Sequence, residues 1–427
     1  MDRDGSDLLR LQIKATQDET VRSPPLMNDD RPLRIALVRI AAHRRGGVER
    51  YVWGFARDLA ARGHEVHLFA RHWEALPGSV IRHPIGRLGG LSVLKAWSFA
   101  RGAGHALRGG RFDAVYNFDR TTVRGIYRAG EGCHREWLRV AAAHLPPASR
   151  MARRLDPLHA FHLTTERRIF SKQVSTRVVA ISRKVREDIL RHYGAPEGSA
   201  PPEGSALGED DVTVIYNGVD LEEFSPAEDP GRKDEIRNTL GVNPGDFVVL
   251  FVGSGFFRKG LVHLLRAAAK LQNGPRRLRV LIIAPPGQRP AAARMARRLG
   301  VEGIVGFPGE ETHTADAYRA SDVFVLPSLY EPFGFAALEA LASGIPCILS
   351  RPSGASEILT EGETGLILED PTDADGLAAR LERLFDENLR RTMGRSARRL
   401  AERYPISRNT DRMLAVHHEI QTRARST

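Results

Sequence analysis

The chain has 427 residues, 42% hydrophobic and 27% charged, a globular balance that excludes a disordered or collagen-like protein. Two cysteines, Cys133 and Cys347, exclude a disulfide scaffold and a Cys-rich zinc site and fit a reducing compartment. The formal charge of +11 is unevenly spread: residues 33–195 hold 30 Lys/Arg against 12 Asp/Glu (+18), the remainder 33 against 40 (−7), so one half is expected to face an anionic partner.

Residues 1–31 read as a polar tail; Asp2, Asp4, Asp7 and Asp18, with no apolar segment, argue against a signal peptide. The apolar runs at 247–252, 280–284 and 323–326 are far shorter than the ~20 residues that span a bilayer, so a soluble or peripherally attached protein is expected. From residue 33 a strand (33–38), a glycine loop at Gly46-Gly47 and a helix over 48–62 follow in order. Further strands are predicted at 65–70, 113–118, 177–182 and 212–216. Residues 194–211 interrupt the alternation with a short repeat, PEGSA at 196–200 and 202–206, and read as an exposed insertion. A linker candidate covers 221–231, and a second series of strands is predicted at 247–252, 279–284, 323–326 and 346–349. Continuous apolar strands alternating with helices predict an α/β fold of two doubly wound, Rossmann-like halves facing a cleft. A helical pattern over about 409–420, within a terminal segment 406–427, closes the chain without revealing where it docks.

Neither common nucleotide motif is complete. After the strand at 247–252, Arg258 stands where a dinucleotide fingerprint needs its third glycine, and Leu261 stands where a phosphate loop needs lysine. What stands there instead is Arg258-Lys259, at a strand-to-helix turn suited to bracketing a diphosphate. By themselves these residues also fit a solvated basic turn. The second constellation is Glu331-Pro-Phe-Gly-Phe-Ala-Ala-Leu-Glu339. Gly334 allows close backbone approach, and the free amides of Phe335 and Ala336 suit phosphate oxygens. Glu331 in the loop also fits a plain helix-terminus anion, but that leaves a second glutamate in an apolar helix unexplained.

Together these residues resemble the retaining family 4 glycosyltransferases, which have the GT-B fold. Glu331 and Glu339, seven residues apart, match the family's EX7E motif; Arg258-Lys259 match its diphosphate pair; Gly46-Gly47 match its glycine loop. Asn217-Gly218-Val219-Asp220 is similar to the family's lead into its linker. Within the family the chain looks most like the lipopolysaccharide core glucosyltransferase I group, on GGVER at 46–50, YRAGEGCHREW at 127–137, ERRIF at 166–170 and GFFRKG at 255–260. Tyr51 and Glu222-Glu223 depart from that group's pattern.

The resemblance implies an acceptor domain over 32–220, a nucleotide-sugar donor domain over 221–405 and a helix over 406–427. It implies that Glu339 binds the ribose, Glu331 the hexose hydroxyls, and Arg258 and Lys259 the leaving diphosphate. UDP-glucose is the expected donor, although uridine and guanosine stay open because backbone groups at 306–309 would read the base. No metal requirement is expected. In the first half, Asp119, Glu131 and His134 are candidates for assisting transfer; a turn cap and a surface histidine are the plain alternatives. Cys133 reads as buried packing. The expected acceptor is an anionic glycolipid such as a lipopolysaccharide core, on an anionic inner-membrane surface reached from the cytoplasm. Aromatic content of 7% and the lack of helix-turn-helix, RNP or zinc-finger patterns disfavour a nucleic-acid partner.

Overall fold

The computed structural model describes residues 31–43, 46–86, 89–195, 206–309 and 313–426. Residues 1–30 of the expected tail at 1–31, and residues 196–205 of the expected insertion at 194–211, lie outside the described residues. Strands β1 (Arg34–Val38), β2 (Ala41–Ala42), β3 (Glu65–Ala70), β4 (His72–Trp73), β5 (Val80–Pro84), β6 (Ala114–Asn117), β7 (Gly125–Ala129), β8 (Ser175–Ala180) and β9 (Val212–Val214) belong to the first half. All but β2 and β4, which pair with each other, form one parallel sheet in the order β5-β3-β1-β6-β7-β8-β9. The second half holds β10 (Phe247–Val252), β11 (Leu278–Ile283), β12 (Val305–Gly306), β13 (Val323–Leu326), β14 (Cys347–Ser350) and β15 (Gly365–Leu368). These form a parallel sheet in the order β12-β11-β10-β13-β14-β15.

The central strands are legible as apolar runs because helices cover both faces; β10 reads FVVLFV, with its first five residues buried. Strands β5 and β7 escape that reading for physical reasons. The edge strand β5 (VIRHP) buries only Val80, because one side of it meets water. Strand β7 (GIYRA) carries Arg128, which is fully buried, so an interior strand looks polar in sequence.

In each sheet the strand order reverses between neighbouring strands, at β1/β6 and at β10/β13. Loops leaving the carboxyl ends of strands at these points diverge and leave a crevice. The two crevices face each other and form one cleft of about 900 Å³.

The docking of the last helix, unreadable in sequence, is resolved by packing. The Ile406–Ser426 helix crosses back and buries Asn409, Met413, Leu414, Val416 and His417, one stripe at helical spacing. Met413, Leu414 and Val416 join the core of the first half, Tyr51 donates to Asn409 Oδ1 at 2.7 Å, and Tyr116 donates to the Met413 carbonyl at 2.9 Å. The two crossing segments are tied to each other: Val219 N donates to the Tyr404 carbonyl (2.9 Å), and Ile406 N donates to the Val219 carbonyl (3.0 Å).

Candidate functional site

The floor of the cleft on the second half is the loop after β13. Glu331 sits there, buried, with its backbone bridged to Ser353. Its Oε2 lies 3.1 Å from Arg258 Nη1 and 2.9 Å from Lys259 Nζ. Both cations come from the short Phe256–Lys259 turn after β10, and Arg258 also donates to the Tyr330 carbonyl at 3.0 Å. Burial works against the carboxylate charge, but the two cations outweigh it and hold the Glu331 carboxyl at about 2. The acid is therefore ionised at neutral pH, and the pair at 258–259 is a site for negative charge that Glu331 fills.

Beside it the Phe335–Ala342 helix begins at Gly334, whose φ of 98° suits glycine and turns the loop into the helix. The amides of Phe335 and Ala336 lead this helix and line the cleft. Glu339 lies more than one turn in, as expected, with Oε1 2.7 Å from Arg50 Nη1 and Oε2 2.8 Å from the Tyr318 hydroxyl. Gly47 packs against the Phe335 ring from the opposite half; a Cβ there would come within 2.8 Å of the ring. The glycine loop therefore lets the two halves meet directly over the helix start. Gly46, Gly309 and Thr314 also line the cleft, so the end of the expected base-reading loop at 306–309 reaches it.

The first half is organised around a residue that the motifs did not single out. Arg39, just past β1, is 4% exposed. Its guanidinium meets Glu49 Oε1 (2.7 Å), Asp119 Oδ1 (3.0 Å) and Glu131 Oε1 (3.0 Å). Arg120 closes a second contact on Glu131 Oε2. Glu131 is pulled down to about 2, because Arg120 and Arg39 overcome the opposing effect of burial. Asp119 is shifted up, by burial first; Arg39 acts against this and Glu131 adds to it. Asp119 also accepts from Ile40 N and lies behind Arg39, outside the residues lining the cleft, whereas Glu131, His134, Arg39 and Arg120 line it.

His134 opens the His134–His144 helix, whose first two amides donate to buried Glu166 at 2.7 and 3.1 Å. Its Nε2 is 3.2 Å from His159 Nδ1, and its ring centre is 5.1 Å from that of His162. Burial, with Arg120 and the two histidines, pushes His134 down to about 3, so it is neutral in any ordinary buffer. Cys133 is buried, with its thiol pushed up mainly by burial, and its amide donates across the cleft to the Tyr330 hydroxyl at 3.0 Å.

The structure thus brings Gly46, Gly47, Arg258, Lys259, Glu331, Gly334, Phe335, Ala336, Glu339, Glu131 and His134 to one cleft. Sequence reasoning missed Arg39, Arg50, Arg120 and Tyr318. A usable signal was present for two of them: Arg39 and Arg120 each follow a strand at its carboxyl end, where ligand groups collect. Among the described residues, Asp373-Ala374-Asp375 is the one Asp-x-Asp triplet, and Asp373 caps the Ala374–Arg383 helix outside the cleft.

Two family models match this chain: "Glycosyltransferase Family 4" over residues 45–223 and "Glycosyl transferases group 1" over residues 232–400. A D-inositol 3-phosphate glycosyltransferase of Rhodococcus opacus is 30% identical over 423 residues, covering 91% of each chain. WaaG, a glycosyltransferase involved in lipopolysaccharide biosynthesis, superposes with a TM-score of 0.73 at 20% identity, over 89% of this chain and 98% of its own. Anabaena HepE in complex with UDP-glucose gives 0.64 at 16% identity, over 92% of this chain and 100% of its own. With its two facing Rossmann-like halves, its cleft and the returning helix, the chain belongs to the group 1, family 4 glycosyltransferases of GT-B fold.

Proposed function

We propose that the protein transfers a hexose, with retention of configuration, from a nucleotide-diphosphate sugar to a phosphorylated acceptor, with UDP-glucose as the first donor to test. The observation that carries this reading is the Glu331 carboxylate held between Arg258 and Lys259 at the start of the Phe335–Ala342 helix. A diphosphate entering the cleft takes over the two cations and the helix amides and leaves Glu331 for the hexose hydroxyls. HepE, whose structures hold UDP, glucose and UDP-glucose, supports this donor class.

In the transfer step the acceptor oxygen attacks the anomeric carbon on the face from which the diphosphate departs. The carbon–oxygen bond to the diphosphate breaks, and the acceptor proton passes to the leaving phosphate oxygen. Arg258, Lys259 and the amides of Phe335 and Ala336 stabilise the charge that develops there, the term preorganised sites supply best. No divalent metal is needed in this scheme. Neutral His134 and ionised Glu131 receive the acceptor, while Arg120 meets its negative charge; Arg39 holds this wall together, and Asp119 acts through it.

A glycolipid acceptor, such as a lipopolysaccharide core reached from the cytoplasmic face of the inner membrane, is the reading we favour. Among the described residues, five of the six exposed large apolar side chains, Leu91, Leu94, Trp97, Met151 and Leu155, sit on or beside two helices of the basic half, Ser92–Leu107 and Pro147–Leu155. No helix among the described residues is long and apolar enough to cross a membrane. The name of the Rhodococcus relative supports a second reading, a small inositol phosphate acceptor. Radiolabelled transfer from UDP- and GDP-sugars to truncated core glycolipid and to inositol phosphate separates the two. Glu331→Gln should lower transfer about a hundredfold or more while UDP still binds; unchanged transfer rejects the site.

A further inference from the structure

Glu339 is held from both halves of the molecule. Tyr318, on the Thr314–Ala320 helix of the second half, is fully buried and donates to Oε2 at 2.8 Å. Arg50, on the Gly47–Ala61 helix of the first half, reaches Oε1 at 2.7 Å. The side chains of Arg50 and Glu339 are only 19% and 9% exposed. Arg50 is itself oriented: its guanidinium lies 5.1 Å above the Phe224 ring, in the segment joining the two sheets, and Phe224 packs edge-on against Tyr318 at 5.7 Å. The Arg50 guanidinium is stabilised in its charged form, Glu339 outweighing burial. A carboxylate offers about four acceptor positions, and these two contacts use two of them.

We propose that Arg50 is a positioning residue for donor recognition. It fixes the Glu339 carboxylate so that its remaining lone pairs meet the vicinal hydroxyls of the nucleotide ribose. Because Arg50 belongs to the acceptor half, the ribose carboxylate is fully aligned only when the two halves are closed. Nucleotide affinity is then set partly by a residue outside the donor half. This rests on the reading of Glu339 as the ribose ligand.

The test uses the full chain and calorimetric titration with UDP and GDP, each beside its 2′-deoxy counterpart. Wild type should bind the ribonucleotide more tightly than the deoxy form. Arg50→Met should weaken ribonucleotide binding about tenfold, the scale of one charge-assisted contact, and bring the ratio of the two affinities toward one. Tyr318→Phe should shift the same ratio by less. A variant that merely loosened the fold would weaken both nucleotides equally and keep their ratio. An Arg50→Met protein that keeps the ribose preference overturns the proposal; should that variant not fold, Arg50→Ala decides in the same way. Glu339→Gln distinguishes the two levels: a preference that survives it rejects the ribose reading itself, whereas one lost in Glu339→Gln but kept in Arg50→Met rejects only the role of Arg50.

Discussion

The two walls of the cleft solve the same electrostatic problem differently. On the wall proposed for the donor one carboxylate, Glu331, sits between two cations that are neighbours in sequence. On the wall proposed for the acceptor one cation, Arg39, sits among three carboxylates, one in the first turn of a helix, at 49, and two in loops, at 119 and 131. The donor wall can turn its two cations from Glu331 to a ligand's diphosphate, the carboxylate then accepting from the ligand's hydroxyls. The acceptor wall cannot release Arg39 without stranding several carboxylates, so it is a fixed scaffold, and binding falls to the groups around it.

Removing the hub is the sharpest way to break this comparison. Arg39→Met leaves Asp119, Glu131 and Glu49 without their shared cation and should destabilise the protein by about 3–5 kcal/mol. For a unit of this size that is a drop in Tm of roughly 10 °C, read by calorimetry. A variant that melts with wild type would mean the hub is not a scaffold.

The same difference decides what was legible in sequence. The donor wall is contiguous: Glu331 to Glu339 is one loop and one helix, and Arg258-Lys259 one turn, so residue spacing alone maps to geometry. The acceptor wall is assembled by the parallel sheet, which places the ends of β1, β6 and β7 side by side although their loops lie 80 to 92 residues from Arg39. Sequence shows cations and carboxylates near strand ends but not which meets which, and Asp119 looked as available as Glu131. The fold class followed from apolar runs, whereas β7 was hidden by its buried Arg128 and the docking of the helix at 406–426 by the absence of any local mark for its partner.

Acid should separate the walls next. His134 and His162 are depressed to about 3 and 4, by burial first and then by Arg120. Their folded pKa values lie below the ordinary 6.5, so the stability they contribute is complete above that value and is lost as pH falls toward 4. For Glu331 and Glu131, depressed to about 2 from 4.5, the loss begins only below 4.5. Stability, and Tm with it, should therefore fall between pH 6.5 and 5 through the first half, His162 alone losing roughly 1–2 kcal/mol by pH 5. His162→Gln should flatten that slope. An unchanged slope would place the acid sensitivity elsewhere.

The smallest expected effect concerns the outer face of the acceptor half, where charge and exposed apolar groups coincide. The Pro147–Leu155 helix buries none of its residues, and exposed Arg150 and Arg154 flank exposed Met151 and Leu155. A basic helix that leaves its apolar side chains in water gains from lying on an anionic bilayer, each cation near the surface contributing on the order of 1 kcal/mol. The full chain should sediment with vesicles containing phosphatidylglycerol at low salt and less so with purely zwitterionic ones. Met151→Ser with Leu155→Ser should weaken that binding severalfold and leave transfer to a water-soluble acceptor unchanged, because neither side chain lines the cleft. If the variant binds vesicles as wild type does, these two side chains do not reach the bilayer; if wild type itself ignores anionic vesicles at low salt, the +18 of the first half serves the acceptor alone, and the contrast between the walls ends at the cleft rather than at a membrane.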